Sequence, residues 1–285
     1  MDINCDTKCL AIIGNPLGHS LSPLMYNRLF SRRALNCVYL PFETDSEELE
    51  QVLNSLKTLN FTGFNVTIPF KQKVIPFMDE LSDEARACQA VNLVKKQGAI
   101  LKGYNTDGQG FVRGLQEAGI SPGGRVIFIG AGGAARAIAY QMGRVGMERA
   151  DFLDLDYGQA QMMAEFIACE SGLPASAALM TRDNFIDIAP QADLLINCSP
   201  VGMWPKVDAS PLESLEGLKQ DAVVCDIIYN PRPTRLLKMA QSRGMKTVDG
   251  LPMFINQALL TLEILLEQSF SPKEMEEVIA PYVKS

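Results

Sequence analysis

Apolar positions along the chain switch repeatedly between two spacings. Short strand-like runs at 8–14, 37–42, 63–68 and 90–94 are separated by stretches at 23–33, 46–59, 71–78 and 83–88 whose apolar residues recur every three or four positions. In the second of these, Ser46 reads as an N-cap ahead of a helical stripe of Leu49, Val52, Leu53 and Leu56. A more regular series follows residue 107. Strands are predicted at 125–130, 150–155, 192–198, 222–228 and 246–248, and helices at 133–146, 158–171 and 233–243. The chain closes with a long apolar helix, 252–268, read as core, and a last helix, 272–283, opened by Ser271-Pro272. Alternation of this kind implies βαβ units: an α/β protein of two domains, each on an open, mostly parallel sheet, the second Rossmann-like.

Composition narrows the classes. With 285 residues, 47% of them apolar, the chain exceeds a usual single domain and is too apolar to be disordered. Two domains sharing one cleft are expected from this length. A net charge of −7 argues against a nucleic-acid partner. No apolar run approaches the roughly 18–20 residues a membrane span needs, and the N-terminus lacks signal-peptide patterning, so a cytoplasmic protein is expected. The seven cysteines are scattered. Cys5 and Cys9 lack the spacing of a zinc site, so no metal is expected, and Cys37, Cys88, Cys169, Cys198 and Cys225 read as small buried apolar residues.

Gly130-Ala131-Gly132-Gly133-Ala134-Ala135 follows a predicted strand and opens a predicted helix. The first glycine permits the tight turn, the second lets backbone approach a pyrophosphate, and the small residue in third place lets helix pack on strand. The helix N-terminus offers free N–H groups to an anion. Asp154, 24 residues after Gly130, stands near the end of the next strand. A carboxylate there accepts hydrogen bonds from both ribose hydroxyls of NAD and repels the 2′-phosphate of NADP. NAD is therefore favoured, with NADP the alternative should Arg149 or Arg182 fold over the turn. Asp156 reads as the cap of the following helix.

Polar segments punctuate the first half: Gly18-His19-Ser20-Leu21-Ser22-Pro23, Asn65-Val66-Thr67-Ile68-Pro69-Phe70-Lys71, Ala90-Val91-Asn92 and Gly103-Tyr104-Asn105-Thr106-Asp107. In α/β sheets ligands bind beyond the strands' carboxyl ends, where these segments fall. Singly each has a bland reading. Ser20 and Ser22 serve as helix caps, the asparagines as loop residues, and His19 as a loop former. A lysine in a first helical turn opposes the helix dipole, which hints that Lys71 is there for chemistry.

Taken in order, GNPLGHSLSP (14–23), FNVTIPFK (64–71), AVN (90–92), GYNTDG (103–108), GAGGAAR (130–136), INCSPVGM (196–203), DIIYNP (226–231) and DGLPMFINQA (249–258) resemble the shikimate dehydrogenases over nearly the whole chain. The resemblance implies oxidation of the C3 hydroxyl of shikimate to 3-dehydroshikimate with hydride passed to a nicotinamide, run in reverse during aromatic amino-acid synthesis. It implies Lys71 as catalytic residue with Asp107 as partner. Ser20 and Ser22 would meet the substrate carboxylate, and Thr67, Asn92, Tyr229 and Gln257 would make further substrate contacts. Backbone at Ile227 and Gly250 would meet the nicotinamide, and Gly130, Ala131, Gly132, Gly133, Ala134 and Asp154 the rest of the cofactor. The N-terminal domain would be completed by the C-terminal helices, so the resemblance implies 1–107 plus 250–285 as a substrate-binding catalytic domain and 108–249 as a dinucleotide-binding domain. NADP-using members commonly carry Asn-Arg-Thr where this chain has Asp154-Leu155-Asp156. That departure resembles the NAD-preferring quinate/shikimate branch, so quinate is a second possible substrate. A monomer or homodimer is expected, and a non-catalytic dinucleotide sensor on the same fold is the alternative from another class.

Overall fold

The computed structural model describes residues 3–283. The chain divides into two compact units: residues up to Thr106 together with Gln257–Tyr282, and Asp107–Asn256. Among the described residues no helix is long and apolar enough to cross a membrane.

In the first unit six strands, β1 (Lys8–Gly14), β2 (Cys37–Glu43), β3 (Gly63–Val66), β4 (Glu80–Leu81), β5 (Leu93–Gln97) and β6 (Ile100–Tyr104), form one sheet in the order β2-β1-β3-β5-β6-β4. β1 lies parallel to β2 and β3, and β4 parallel to β6, while β5 runs antiparallel to both β3 and β6. One face packs on α2 (Leu49–Thr58) through Leu49, Leu53 and Leu56 with Phe64, Val66, Phe70 and Val94. The other helices are α1 (Ser22–Arg32) and α3 (Asp83–Cys88), and after the second unit the closing helix α10 (Pro272–Ile279), which packs on α1.

Three local expectations are corrected here. Residues 71–78 form turns and a short 3₁₀ helix, Ile75–Phe77, rather than an α-helix, because Pro76 lacks an N–H and disfavours α backbone in the residue before it. The dipole hint for Lys71 goes with it. Ser46 does not cap α2; it lies within a 3₁₀ turn, Ser46–Glu48, and its Oγ accepts from Lys73 Nζ at 2.8 Å. The strand expected at 90–94 starts at Leu93, and Ala90–Asn92 lead into it.

The second unit opens with α4 (Asp107–Glu117). Its sheet orders β12 (Thr247–Val248), β11 (Val223–Asp226), β10 (Leu194–Asn197), β7 (Gly124–Ile129), β8 (Met147–Asp154) and β9 (Ala175–Leu179), with every pairing parallel. The order reverses between β7 and β10, the doubly wound arrangement of dinucleotide-binding domains. Phe128 and Phe152 are partners on β7 and β8 and stack at 5.0 Å. The crossovers are α5 (Gly133–Gly143), α6 (Tyr157–Ser171), α7 (Arg182–Ile188) and α8 (Arg235–Ser242). α4 escaped the sequence pattern because glycines interrupt it. A Cβ at Gly108 would run into the Ala137 carbonyl of α5, and one at Gly114 into Pro252, so these glycines serve close packing. α5 stops at Gly143, three residues short of expectation, and Cys169 is exposed rather than buried.

The apolar helix, α9 (Leu251–Leu266), begins in the second unit and ends in the first. Ala258, Thr261 and Leu262 are fully buried, so it is core as expected.

Candidate active site

The register of the first sheet brings the polar segments to one edge. Ile13 pairs with Val66, Asn65 with Leu93, and Leu93 with Tyr104. The carboxyl ends of β1, β3 and β6 therefore meet the amino end of the antiparallel β5. Side-chain hydrogen bonds then lock this edge. Asn92 Nδ2 donates to Thr106 Oγ1 at 2.9 Å, and Asn92 Oδ1 accepts from the Thr106 N–H at 2.9 Å. Asn65 Nδ2 donates to the Asn92 carbonyl and to Thr261 Oγ1, while Asn65 Oδ1 accepts from the Tyr39 hydroxyl at 2.8 Å. Burial pushes the Tyr39 hydroxyl well above its usual value, so it stays a neutral donor. Asn105 Nδ2 donates to the Ala90 carbonyl.

Around this frame stand the expected substrate residues. Thr67 directly follows β3, and its N–H donates to the Ile13 carbonyl. Lys71 is half-buried, with its carbonyl accepting from Val91 N–H at 2.7 Å. Ser20 N–H donates to the Leu17 carbonyl, and Ser22 is buried at the first position of α1. Neither serine caps that helix: Leu21 holds the cap position with no side-chain bond. His19 is exposed. Gln257 lies on α9 one turn before Thr261, whose hydroxyl donates to the Gln257 carbonyl. Asp107, buried in the first turn of α4, directly follows the clamped Thr106 and opens the second unit, as an acidic group at a helix N-terminus favours.

The second unit supplies a different kind of edge. Gly130 turns at φ +90°, a conformation that L side chains rarely adopt, with Ser199 N only 3.0 Å from where a Cβ would stand. Its N–H donates to the Leu153 carbonyl, and the next N–H, of Ala131, donates to Asp154 Oδ2 at 2.7 Å. Asp154 Oδ1 accepts from Asp156 N–H at 2.9 Å. Gly132 holds the cap position of α5 with no side-chain cap, and a Cβ on Gly132 or Gly133 would meet nothing within 4 Å. Ala134 follows, half-buried, in the first turn. An uncapped helix start facing open space, beside a carboxylate at the next strand's end, fits a dinucleotide. Asp156 caps α6 through the N–H groups of Gly158 and Gln159, as its sequence position predicted. Arg149 and Arg182, the two arginines that could serve a 2′-phosphate here, each pair with another carboxylate. The first bonds Asp151 at 2.8 Å, and the second bonds Glu216 at 2.7 Å.

Beyond β10 and β11 lies a buried network that sequence reasoning missed. Asp226 Oδ1 accepts from Asn197 Nδ2 and Ile228 N–H, each at 3.1 Å, and Oδ2 accepts from the Thr234 hydroxyl at 2.7 Å. Asn197 Oδ1 accepts from the N–H and hydroxyl of Ser199. Burial raises the Asp226 carboxyl to about 6 against these three hydrogen bonds, which lower it, with Asp249 adding to the rise. Ile227 and Gly250 meet here. The Gly250 N–H donates to the Ile228 carbonyl at 3.1 Å, and a Cβ on Gly250 would overlap the Ile227 carbonyl. Tyr229 stacks on Phe254 at 4.5 Å, and its hydroxyl is pushed up by burial. The signals available were polar residues ending apolar runs, Asn197 after Leu194–Ile196 and Asp226 after Val223–Cys225, and the lone hydroxyl of Thr261 within α9.

A family model described as the shikimate dehydrogenase substrate binding domain matches residues 12–94. A shikimate dehydrogenase (NADP(+)) of Syntrophomonas wolfei is 49% identical over 98% of this chain and 96% of its own length. A crystal structure of a shikimate dehydrogenase in complex with NADP+ aligns at TM-score 0.91 with 34% identity, covering 100% of this chain and 98% of that one. The shikimate 5-dehydrogenase of Listeria monocytogenes, in complex with shikimate and NAD, aligns at TM-score 0.93 with 31% identity and covers 98% of both chains. With both units and the connecting helix inside these alignments, the chain belongs to the shikimate dehydrogenase family.

Proposed function

We propose that this protein oxidises the C3 hydroxyl of shikimate reversibly to 3-dehydroshikimate, using a nicotinamide cofactor with NAD preferred. The observation that carries the reading is the pairing of chemistries: an edge of buried amides and hydroxyls in one unit, and an open glycine turn with a carboxylate beside it in the other. A ring bearing three hydroxyls and a carboxylate needs many polar partners, since an unmatched buried polar group costs roughly 1–3 kcal/mol.

In this reading Ser20 and Ser22 bind the carboxylate, Thr67 and Asn92 bind ring hydroxyls, and Tyr229 and Gln257 complete the substrate contacts. The Lys71 amine takes the C3 hydroxyl proton during oxidation and returns it during reduction, and Asp107 orients that amine. Gly130, Ala131, Gly132, Gly133 and Ala134 cradle the cofactor diphosphate, and backbone at Ile227 and Gly250 meets the nicotinamide. When bound, the nicotinamide supplies the hydride acceptor.

The NAD preference rests on Asp154 and on the pairing of Arg149 and Arg182 with other carboxylates. A 2′-phosphate beside Asp154 would face a carboxylate, and Arg149 and Arg182 would have to leave their own acidic partners to offset it. The relative named for NADP(+) keeps the other cofactor in play. The test is a four-way steady-state assay of shikimate and quinate, each with NAD and NADP. Shikimate with NAD is expected to give the highest kcat/KM, and Asp154→Ala with Leu155→Arg to move preference toward NADP. A wild type that prefers NADP overturns the cofactor reading. Turnover of quinate alone overturns the substrate reading, and activity with neither leaves a dinucleotide sensor.

A further inference from the structure

Asp226 closes β11 with 1% of its surface exposed. Its three hydrogen-bond partners are all neutral, and the charged group that bears on it, Asp249, has the same sign and is itself bound to Arg232 at 2.7 Å. A carboxylate removed from water without a counter-charge is costly, because no Coulomb attraction offsets the lost hydration. Hydrogen bonding alone does not require that charge. An asparagine would accept from Asn197 and Ile228 on its oxygen and donate to Thr234 from its nitrogen. The charge therefore calls for a role of its own, and perturbed buried acids gather at functional sites.

Its position suggests the role. Asp226 immediately precedes Ile227, and the Ile227–Ile228 backbone lies against Gly250. The oxidised nicotinamide ring carries one positive charge and the reduced ring none. We propose that Asp226 acts as an electrostatic selector of cofactor redox state, its buried negative charge holding the cationic, oxidised nicotinamide in preference to the neutral, reduced one. The inference rests on reading Ile227 and Gly250 as the nicotinamide-facing backbone.

The surroundings make the selector pH-sensitive. Asn197 on β10 and Thr234 before α8 are neutral, and the thiols of Cys198 and Cys225 are pushed far up by burial and by Asp226 itself. Asp249, the remaining acid, is tied to Arg232. With the Asp226 carboxyl near 6, it is the group here that changes charge between weakly acidic and weakly basic solution.

The experiment measures dissociation constants of NAD+, NADH and ADP-ribose by calorimetry on the full-length wild type and Asp226→Asn, without shikimate, from about pH 5.5 to about pH 8, the 2′-phosphorylated pair in parallel. At the basic end the variant is expected to lose about tenfold in affinity for the oxidised form relative to the reduced form, the order of one partly screened charge contact. ADP-ribose, which lacks the ring, keeps its affinity. The wild-type preference for the oxidised form fades as pH falls through about 6, and the variant shows no such trend. An oxidised-to-reduced ratio that is the same in both proteins and flat with pH overturns the selector, as does an equal loss of ADP-ribose, which would mean that the loop has moved. Should the variant not fold, the wild-type pH series decides alone. A wild type that oxidises shikimate with an unmoved ratio sinks the selector only; one that binds no nicotinamide nucleotide sinks the functional reading with it.

Discussion

Both sheets use the carboxyl ends of their strands, yet the two edges are built in opposite ways. In the first unit the polar side chains satisfy one another. Tyr39, Asn65, Asn92, Thr106 and Thr261 form one buried chain of hydrogen bonds that includes Asn92, itself assigned to the substrate. In the second unit the glycine turn is anchored from below by Leu153 and Asp154 and left bare above, where Gly132 and Gly133 face open space. On the proposed function, a small polyhydroxylated ring needs side chains held at fixed angles, which a network supplies. A diphosphate, on the same reading, needs backbone N–H groups and a helix start, which an absence of side chains leaves open. The first edge is vulnerable to loss of a polar group, the second to gain of a methyl.

Substitutions separate the two. The largest effect is expected from Lys71→Ala, which lowers kcat by about 10²–10⁴-fold while the KM for shikimate changes little, because proton transfer acts in the transition state. Steady-state kinetics check this, and an unaltered kcat removes Lys71 from the mechanism. Next, Gly130→Ala raises the cofactor KM on the order of tenfold or more and lowers stability, since its φ of +90° strains any side chain and the Ser199 backbone crowds a Cβ. Gly132→Ala, two residues on in open space, has a much smaller effect on folding. Equal thermal shifts in the two alanine variants would break the contrast. Asn65→Ala strands the Tyr39 hydroxyl and costs about 2–3 kcal/mol in denaturant unfolding, with ADP-ribose affinity in the other unit unchanged.

Smallest and most conditional is the stability effect at Asp226. Its carboxyl is raised from 3.8 to about 6 on folding, so the folded state disfavours the ionised form. The penalty is in full force above about pH 6 and disappears as pH falls toward 4. Asp226→Asn is therefore expected to be more stable than wild type at pH 7.5, by on the order of 1–3 kcal/mol, with the gap closing in acid. Thermal unfolding at both pH values reads this directly.

Much of this was legible from spacing. The doubly wound order follows from the strand and helix alternation after residue 107, and the Gly130 turn and Asp154 stood at the separation that a dinucleotide fold requires. What stayed hidden depended on partners distant in sequence. Asn65 reads as a loop residue until β5 turns antiparallel and Thr261 arrives from α9. α4 was invisible because Gly108 and Gly114 trade helical propensity for close contact with Ala137 and Pro252. The helix expected at 71–78 failed on the one residue, Pro76, that a count of apolar positions passes over.

The helix α9 imposes an order on biosynthesis. Leu265 packs where a side chain on Gly63 would stand, and Thr261 meets Asn65, so the first sheet lacks part of its core until residues beyond 257 have left the ribosome. By then all of Asp107–Asn256 has been synthesised. The lobe begun first is thus the lobe finished last, and in the interval its unfilled apolar face is a natural client for a chaperone.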